Sequence, residues 1–475
     1  MTERKIFIRG EWRSTGDVYE IRSPHDGVVV TRAHRARPAD IEDAIVAARD
    51  AFSITRSMPT WKRTAILRGI AEGIGRRREE LVNILALEAG KPVKAGRNEV
   101  DRAIFTFEVA AEEARRIGAE MFPMDWAPSG ADRIGLVKRF PLGPLAAIVP
   151  FNFPLNLSAH KIAPAIASGN TMVLKPATQT PSAALVLAEV ADAAGLPAGA
   201  LNVVAATAKN VVPLVIDERF RMLTFTGSAA VGWDLRHRAG KKRVTLELGG
   251  NAAAIVHEDA DLQRAAERIT FGGYSYSGQS CISVQRVLVQ RKVQERFMEI
   301  FVPMVKALKT GDPLDDSTDI GPMITEQDAR RVASWIEEAA AGGARVVLEG
   351  VRKGALLTPS IVTDVDPEMR ISCQEVFGPV VAISSYDSLD EALATVNRSD
   401  FGLQAGIFTR HAPSAWKAFE RLDVGGVMVD DVPTFRIDHM PYGGVKDSGA
   451  GREGIKYAIE EMTEIKVMGW HIDRN

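Results

Sequence analysis

The sequence has only two cysteines, Cys281 and Cys373, among its 475 residues. So few cysteines do not make a disulfide framework and favour a reducing compartment. The 59 lysines and arginines nearly balance the 61 aspartates and glutamates, without a long basic block, which argues against a nucleic-acid partner. The amino-terminal residues lack an apolar signal core, and no apolar stretch approaches the roughly 18 residues that would span a bilayer. These absences predict a cytoplasmic protein without a membrane partner.

The alternation of apolar and helical segments predicts an α/β fold. Short apolar stretches, typical of buried strands, alternate with helical patterns at residues 145–149, 171–174, 201–204 and 222–225. Buried strands separated by helices indicate a parallel sheet, which binds nucleotides at the carboxyl ends of its strands. A second series of this kind follows Asn251, and residues 61–88 are predicted to form one continuous helix.

Three residues are candidates for the chemistry. Cys281 is a candidate nucleophile because glycine and serine precede it and indicate a loop, although a free cysteine is often a small buried hydrophobe, as we interpret Cys373. Glu247 is a lone carboxylate in an apolar run ending in Gly-Gly, and the alternative for it is a solvated strand residue. Asn152 follows an apolar strand and is either a turn residue or an amide donor to an oxyanion.

A candidate phosphate site lies in FTGSAAVG (225–232). Glycine at a strand-to-helix junction lets the backbone approach an anion, although the full dinucleotide fingerprint is missing. Lys175 ends a predicted strand, where it is either a solvated end residue or a contact to a ribose or phosphate.

Taken in order, these segments resemble the aldehyde dehydrogenase superfamily along nearly the whole chain. The most specific segments are PFNFP (150–154), LKPA (174–177), FTGS (225–228), LELGG (246–250), GQSC (278–281), EVFGP (375–379) and SGAGREG (448–454). The resemblance implies the aldehyde dehydrogenase fold and an enzyme that oxidises an aldehyde to a carboxylate with NADP or NAD. Two alternatives on this fold are a coenzyme-A-acylating enzyme, which generally lacks the glutamate at 247, and a non-catalytic binding or structural protein.

The resemblance also implies roles for individual residues and no metal site. Cys281 would attack as a thiolate, giving a thiohemiacetal and then a thioester, which Glu247 would hydrolyse as a general base. Asn152 and the backbone N–H of Cys281 would stabilise the oxyanion. The implied cofactor-binding residues are Val149, Pro150, Phe151, Lys175, Thr178, Lys209, Thr226, Gly227, Ser228, Val231, Leu248, Gly249, Glu375 and Phe377.

Thr178 departs from many NAD-preferring relatives, which have a glutamate at this position. A carboxylate there would repel a 2′-phosphate, so threonine permits NADP. Lys175 or Lys209 could supply positive charge.

The segments NLSAHK (156–161) and GREGIKYAIEEMT (451–463) resemble the lactaldehyde dehydrogenase-like branch. This branch lies near the non-phosphorylating glyceraldehyde-3-phosphate and phosphonoacetaldehyde dehydrogenases, so the expected substrate is a small polar or anionic aldehyde. The candidate substrate residues are Arg102, His160 and Ser280. Arg102 is alternatively a solvated helix residue, and Ser280 stands where the related enzymes have an arginine.

The resemblance divides the chain into three parts. Residues 1–118 and 142–250 would bind the cofactor, and residues 251–445 would form the catalytic domain. Residues 119–141 and 446–475 would form an oligomerisation arm and a C-terminal segment. The exposed edge of such an arm predicts a homodimer or homotetramer.

Overall fold

Two largely parallel sheets form the framework of the structure, a computed structural model that describes residues 2–472. The first sheet has eight strands in the spatial order Gly449–Ala450, Arg243–Glu247, Met222–Thr226, Pro144–Ile148, Thr171–Lys175, Leu201–Val203, Ile6–Ile8 and Glu11–Arg13. Its five middle strands are parallel and almost entirely buried, which accounts for their continuous apolar sequences.

The second sheet has seven strands. Their spatial order is Arg345–Leu348, Ser360–Thr363, Val380–Tyr386, Arg286–Gln290, Ala253–Val256, Gln404–Phe408 and Gly426–Val429. All neighbours are parallel except the first pair, which is antiparallel. The prediction of an α/β fold is confirmed.

Helices cover these sheets and enclose separate apolar clusters against them. Around the first sheet lie Pro38–Thr55, Thr60–Arg76, Arg78–Ala89, Val93–Arg116, Pro154–Ser168, Ser182–Ala193, Val212–Ile216, Ala229–Arg238 and Ile455–Glu461. Around the second lie Leu262–Tyr274, Arg291–Lys306, Glu326–Ala341, Arg370–Cys373, Leu389–Asn397 and Ala412–Arg421. Single 3-10 turns occur at Pro128–Gly130 and Ser275–Gly278.

Smaller strand groups complete the fold. A three-stranded sheet orders Thr2–Arg4, Val29–His34 and Val18–Arg22. Two-stranded pairs join Arg352–Lys353 to Leu356–Leu357 and Phe401–Gly402 to Val445–Lys446. A separate antiparallel sheet orders Thr463–His471, Arg133–Pro141 and Ala119–Pro123.

The predicted single helix over residues 61–88 is wrong. The structure has two helices, Thr60–Arg76 and Arg78–Ala89, separated at Arg77, whose ψ of 19° leaves the helical range. Glu80 and the distant Glu189 both accept hydrogen bonds from the Arg77 guanidinium and hold the chain in this bend. Gly75, a weak helix former, lies just before the break.

The carboxyl ends of three neighbouring parallel strands position the candidate residues. Asn152 follows Pro144–Ile148, Ser228 follows Met222–Thr226, and Glu247 ends Arg243–Glu247. Because parallel strands end at the same edge of a sheet, these residues meet there. Within residues 2–472, no helix is both long and apolar enough to cross a membrane.

Candidate active site

The loop that carries Cys281 has an unusual backbone. Tyr276, Ser277 and Gly278 take consecutive φ values of 49°, 57° and 70°, a region that L-residues rarely adopt. The loop is anchored on both sides: the Ser277 hydroxyl donates to the Gly321 carbonyl at 2.7 Å, and Gln279 Oε1 accepts the Ile324 N–H at 2.9 Å. Such over-determined strain is typical of functional sites and here fixes where Cys281 lies.

Cys281 opens onto a cavity of about 1100 Å³ between the two large sheets. The cavity wall contains the three predicted catalytic residues, Cys281, Glu247 and Asn152. It also contains many of the predicted cofactor and substrate residues, namely Pro150, Phe151, Thr226, Gly227, Ser228, Leu248, Gly249, Glu375, Phe377, Arg102 and Ser280. The folded chain therefore brings together residues that are far apart in sequence.

The Gly-Gly pair after Glu247 permits this close approach. A Cβ on Gly250 would lie 2.2 Å from the Cys281 carbonyl oxygen, and a Cβ on Gly249 would lie 2.4 Å from Glu375 Oε2. Both distances are far below van der Waals contact, so only glycine lets the strand end pass beneath the nucleophile.

Among the described residues, the Cys281 sulfur contacts one polar group, the Tyr442 hydroxyl, at 3.1 Å. Burial raises the pKa of the Cys281 thiol to about 12, and the Tyr442 hydrogen bond opposes this rise. A thiolate is the nucleophilic form of cysteine, so the site has to stabilise the negative charge on sulfur for reaction.

Asn152 lies beside the nucleophile loop. Its side-chain Nδ2 donates to the Gln279 carbonyl at 3.0 Å, and the residue is only 5% exposed. Its Oδ1 is buried without a hydrogen-bond partner in the described chain. The amide is thus held rigidly at the cavity wall, which suits a preorganised donor.

Glu247 is buried rather than solvated. The residue is 3% exposed, and neither carboxylate oxygen has a hydrogen-bond partner among residues 2–472. Burial, together with the nearby Glu453 carboxylate, raises the pKa of Glu247 well above its usual value. The alternative of a strand residue on the wet face is therefore wrong, because Glu247 points into the cavity.

The predicted cofactor region offers free polar groups. Ser228 precedes the helix Ala229–Arg238, whose N-terminus favours an anion, and the Thr226 hydroxyl is buried without a partner in the part of the chain that is described. Glu375 accepts the Gly250 N–H at 3.0 Å, and Phe377 packs edge-on against Phe151 at 6.0 Å. Burial raises the pKa of Glu375 to about 7.

Five predicted cofactor residues lie outside the cavity wall: Val149, Lys175, Thr178, Lys209 and Val231. Val149 is buried, Thr178 is partly exposed, and Lys209 and Val231 are exposed. Burial lowers the pKa of Lys175 to about 8, and none of the ion pairs in residues 2–472 includes it. An unpaired, largely buried lysine and the orphaned Thr226 hydroxyl fit a ligand with ribose and phosphate groups.

The predicted substrate residues differ in their placement. Arg102 lines the cavity, but its guanidinium makes a two-point ion pair with Asp438 at 2.7 and 3.1 Å, so it is not simply a solvated helix residue. His160 is 1% exposed and lies behind Asp438, with Nε2 at 2.8 Å from Oδ1, so it is absent from the cavity wall. Ser280 lines the cavity beside Cys281.

The cavity residues that sequence reasoning missed include Arg436, Asp438, Tyr442 and Glu453. The side chain of Arg436 is 7% exposed, donates to Glu453 at 3.1 Å, and has an Nε that lacks a partner in the described residues. Lys161 pairs with Glu453 at 2.5 Å behind it. Charged residues within the loop segment FRID (435–438), and Glu453 inside the SGAGREG motif, were the available signals.

The chain matches the model described as "Aldehyde dehydrogenase family" over residues 12–468. It is 44% identical over 464 residues to the 3-sulfolactaldehyde dehydrogenase of Priestia megaterium, covering 98% of this chain and 97% of the relative. Aldehyde dehydrogenase 21 of Physcomitrella patens, solved with the reaction product succinate, superposes with a TM-score of 0.97 at 42% identity, covering 99% and 98% of the two chains. The NADP-dependent glyceraldehyde-3-phosphate dehydrogenase of Bacillus halodurans, solved with NADP, gives 0.96 at 36% identity, covering 99% and 100%.

The chain therefore belongs to the aldehyde dehydrogenase family. It is an oxidoreductase that acts on aldehydes with NAD or NADP, and the predicted fold, enzyme class, cofactors and branch are confirmed.

Proposed function

We propose that this enzyme oxidises a small anionic aldehyde to its carboxylate by hydrolysis of a Cys281 thioester. The observation that carries the proposal is the cavity itself. One wall holds Cys281, Glu247 and Asn152, and the same cavity contains Arg436, a buried arginine with an unpartnered Nε. A buried N–H of a cation that has no partner within residues 2–472 suits an anionic group of the substrate. The names of the relatives, a sulfolactaldehyde dehydrogenase and an enzyme solved with succinate, support an anionic substrate.

The first half of the reaction depends on Cys281 and Asn152. The Cys281 thiolate attacks the aldehyde carbon, and the carbonyl oxygen becomes the oxyanion of a thiohemiacetal. Asn152 Nδ2 and the Cys281 backbone N–H are the donors for this oxyanion, and one such donor is worth about 10²- to 10³-fold in kcat. A bound nicotinamide cofactor would supply the acceptor for the hydride that leaves the thiohemiacetal carbon.

The second half depends on Glu247. After hydride loss the acyl group is a thioester on Cys281, and a water must be deprotonated to attack it. Glu247 faces the cavity with neither carboxylate oxygen committed to a hydrogen bond within residues 2–472. Its pKa is raised toward the pH at which the enzyme works, and this makes the carboxylate a stronger general base.

The coenzyme-A-acylating alternative predicts a different product. A glutamate placed to activate water favours a free acid, so we expect the same initial rate and only carboxylate with or without coenzyme A. Product analysis by mass spectrometry distinguishes the two. An acyl-coenzyme A product would contradict hydrolysis.

Anion selectivity gives a direct test of the substrate class. We expect Arg436→Gln to lower kcat/KM for 4-oxobutanoate by about 10- to 100-fold, because a charge-assisted hydrogen bond is lost. For butanal, which has the same carbon number and no charge, kcat/KM should fall by a clearly smaller factor, because only the effect of the Arg436 charge on the Cys281 thiol is lost. Arg264→Gln is the matched control, because Arg264 is exposed and contacts Asp430 of the neighbouring loop outside the cavity. An equal loss for both aldehydes would contradict the proposed role.

We propose that the enzyme accepts NADP as well as NAD, because Thr178 leaves room for a 2′-phosphate near Lys175. Thr178 is partly exposed, and the one hydrogen bond of its hydroxyl in the described part of the chain is to Gln179, at 3.3 Å. We expect Thr178→Glu to raise KM for NADP by at least about 10-fold and to lower KM for NAD, because two like charges within a few ångströms repel. Thr178→Gln, the uncharged control, should leave the ratio of the two KM values near that of the wild type. An unchanged ratio in Thr178→Glu would place the 2′-phosphate elsewhere.

We further propose the domain division expected from the sequence, with cofactor binding by residues 1–118 and 142–250 and catalysis by 251–445. We call the separate antiparallel sheet of Thr463–His471, Arg133–Pro141 and Ala119–Pro123 the arm sheet. The arm sheet supports assembly into a homodimer or homotetramer. Its edge strand Thr463–His471 exposes Trp470 and Val467, and the loop between its other two strands exposes Trp126. An apolar strand edge of this kind is suited to a second copy of the chain.

A further inference from the structure

Tyr442 is placed against the nucleophile by a rigid loop. Its hydroxyl lies 3.1 Å from Cys281 Sγ, and the residue is 3% exposed. Its backbone exchanges two hydrogen bonds with Glu453, with N···O distances of 3.0 and 2.6 Å. The two backbone hydrogen bonds fix the main chain at Tyr442, and burial confines the side chain that places the hydroxyl next to the sulfur.

A buried cation lies on the face of the same tyrosine. The Arg436 guanidinium carbon is 3.7 Å from the centre of the Tyr442 ring, a close cation–π contact. Glu453 accepts from Arg436 at 3.1 Å and keeps the guanidinium in this position. A cation on the ring withdraws electron density and makes the phenol hydroxyl a stronger hydrogen-bond donor.

The charged groups facing the Cys281 sulfur act in opposite directions. Burial raises the pKa of the thiol, and the carboxylates of Glu375 and Glu247 raise it further. Tyr442, through its hydrogen bond, and Arg436, through its charge, lower the pKa of this thiol. Burial raises the pKa of Tyr442 well above its usual value, so its hydroxyl keeps its proton and remains a donor.

We propose that Tyr442 is a further catalytic residue whose hydroxyl donates a hydrogen bond to the Cys281 thiolate, with Arg436 on its ring strengthening that donor. The S–H bond breaks and its proton passes to solvent, while Tyr442 retains its own proton and the two electrons of the bond stay on sulfur. The inference rests on the proposed function in one respect, that Cys281 is the nucleophile.

The test measures the thiolate without cofactor or substrate. Labelling of the full-length enzyme by iodoacetamide is followed by mass spectrometry at several pH values, and Cys281→Ser supplies the blank for labelling at Cys373, the other cysteine. Losing the hydrogen bond should lower the thiolate fraction of Tyr442→Phe by about 10- to 100-fold. Because a more basic thiolate is intrinsically more nucleophilic, the net alkylation rate should fall by about 3- to 10-fold at each pH.

Tyr386→Phe is the matched control. Tyr386 is 1% exposed, and its hydroxyl donates to the Val256 carbonyl at 3.2 Å outside the cavity. Its alkylation rates should equal those of the wild type. Equal rates in Tyr442→Phe and the wild type would overturn the inference.

A second variant guards against misfolding of Tyr442→Phe. Fluorotyrosine at position 442 keeps the shape of the side chain and has a more acidic, stronger hydroxyl donor. The alkylation rate should then rise above that of the wild type, and an unchanged or lower rate overturns the inference. Failure of the proposed nucleophile is a separate result, in which alkylation at Cys281 leaves dehydrogenase activity intact.

Discussion

Cys281→Ala should lower aldehyde oxidation by at least about 10⁴-fold with either cofactor, because no other group can form the covalent intermediate. The fold should be unaffected, since the only polar contact of the sulfur within residues 2–472 is to Tyr442. The measurement is the initial rate of nicotinamide reduction, with circular dichroism to confirm folding.

Cys373→Ala is the natural control for this variant. Cys373 ends the short helix Arg370–Cys373, and within residues 2–472 its thiol hydrogen-bonds only to the Glu368 carbonyl, at 3.5 Å. Full activity in this control with loss in Cys281→Ala supports the assignment. Substantial turnover by Cys281→Ala would exclude a Cys281 thioester and revive the non-catalytic or differently catalysed alternatives.

Glu247→Gln should separate the two halves of the reaction. Glutamine has nearly the same shape but cannot remove a proton from water, so acylation continues and hydrolysis slows by about 10²- to 10⁴-fold. Stopped-flow absorbance should show a burst of one reduced nicotinamide per active site, followed by a very slow steady state.

The pH dependence gives the sign of the effect. Because the pKa of Glu247 is raised, the wild-type hydrolysis rate should increase as the pH rises through that value and the carboxylate loses its proton. Glu247→Gln should show no such rise. Glu88→Gln is a control for loss of a buried carboxylate, since Glu88 bonds Ser182 outside the cavity, and it should show no burst. Slow acylation instead of a burst would assign Glu247 to the first half-reaction.

Much of the fold follows from local sequence patterns. Parallel strands buried on both faces are continuous apolar runs, so the segments around Pro144–Ile148 and Met222–Thr226 are visible in one dimension. The helix break at Arg77 is not visible in the sequence, because it depends on Glu189, a residue 112 positions away. Packing of this kind overrides local helix propensity.

The candidate site, like the fold, is only partly predictable from local sequence. The motifs around Cys281, Glu247 and Asn152 identify the residue types, yet the alternating pattern at Glu247 cannot tell a wet strand face from a cavity wall. Tyr442 is separated from Cys281 by 161 positions, and no local pattern pairs them. His160 belongs to the segment NLSAHK and is a candidate substrate residue, but Asp438, which is part of the cavity wall, lies between His160 and the cavity.

The central proposal is that the reaction passes through a thioester on Cys281, which is hydrolysed with Glu247 as the general base. Its most direct test is intact-mass and peptide mass spectrometry of Glu247→Gln, quenched in acid seconds after mixing with an anionic aldehyde and NADP. The account predicts one acyl group per chain, located on the peptide that contains Cys281 and absent in Glu247→Gln carrying Cys281→Ser. An acyl group on another residue would contradict it. So would a Glu247→Gln enzyme that turns over at the wild-type rate and shows no adduct after quenching.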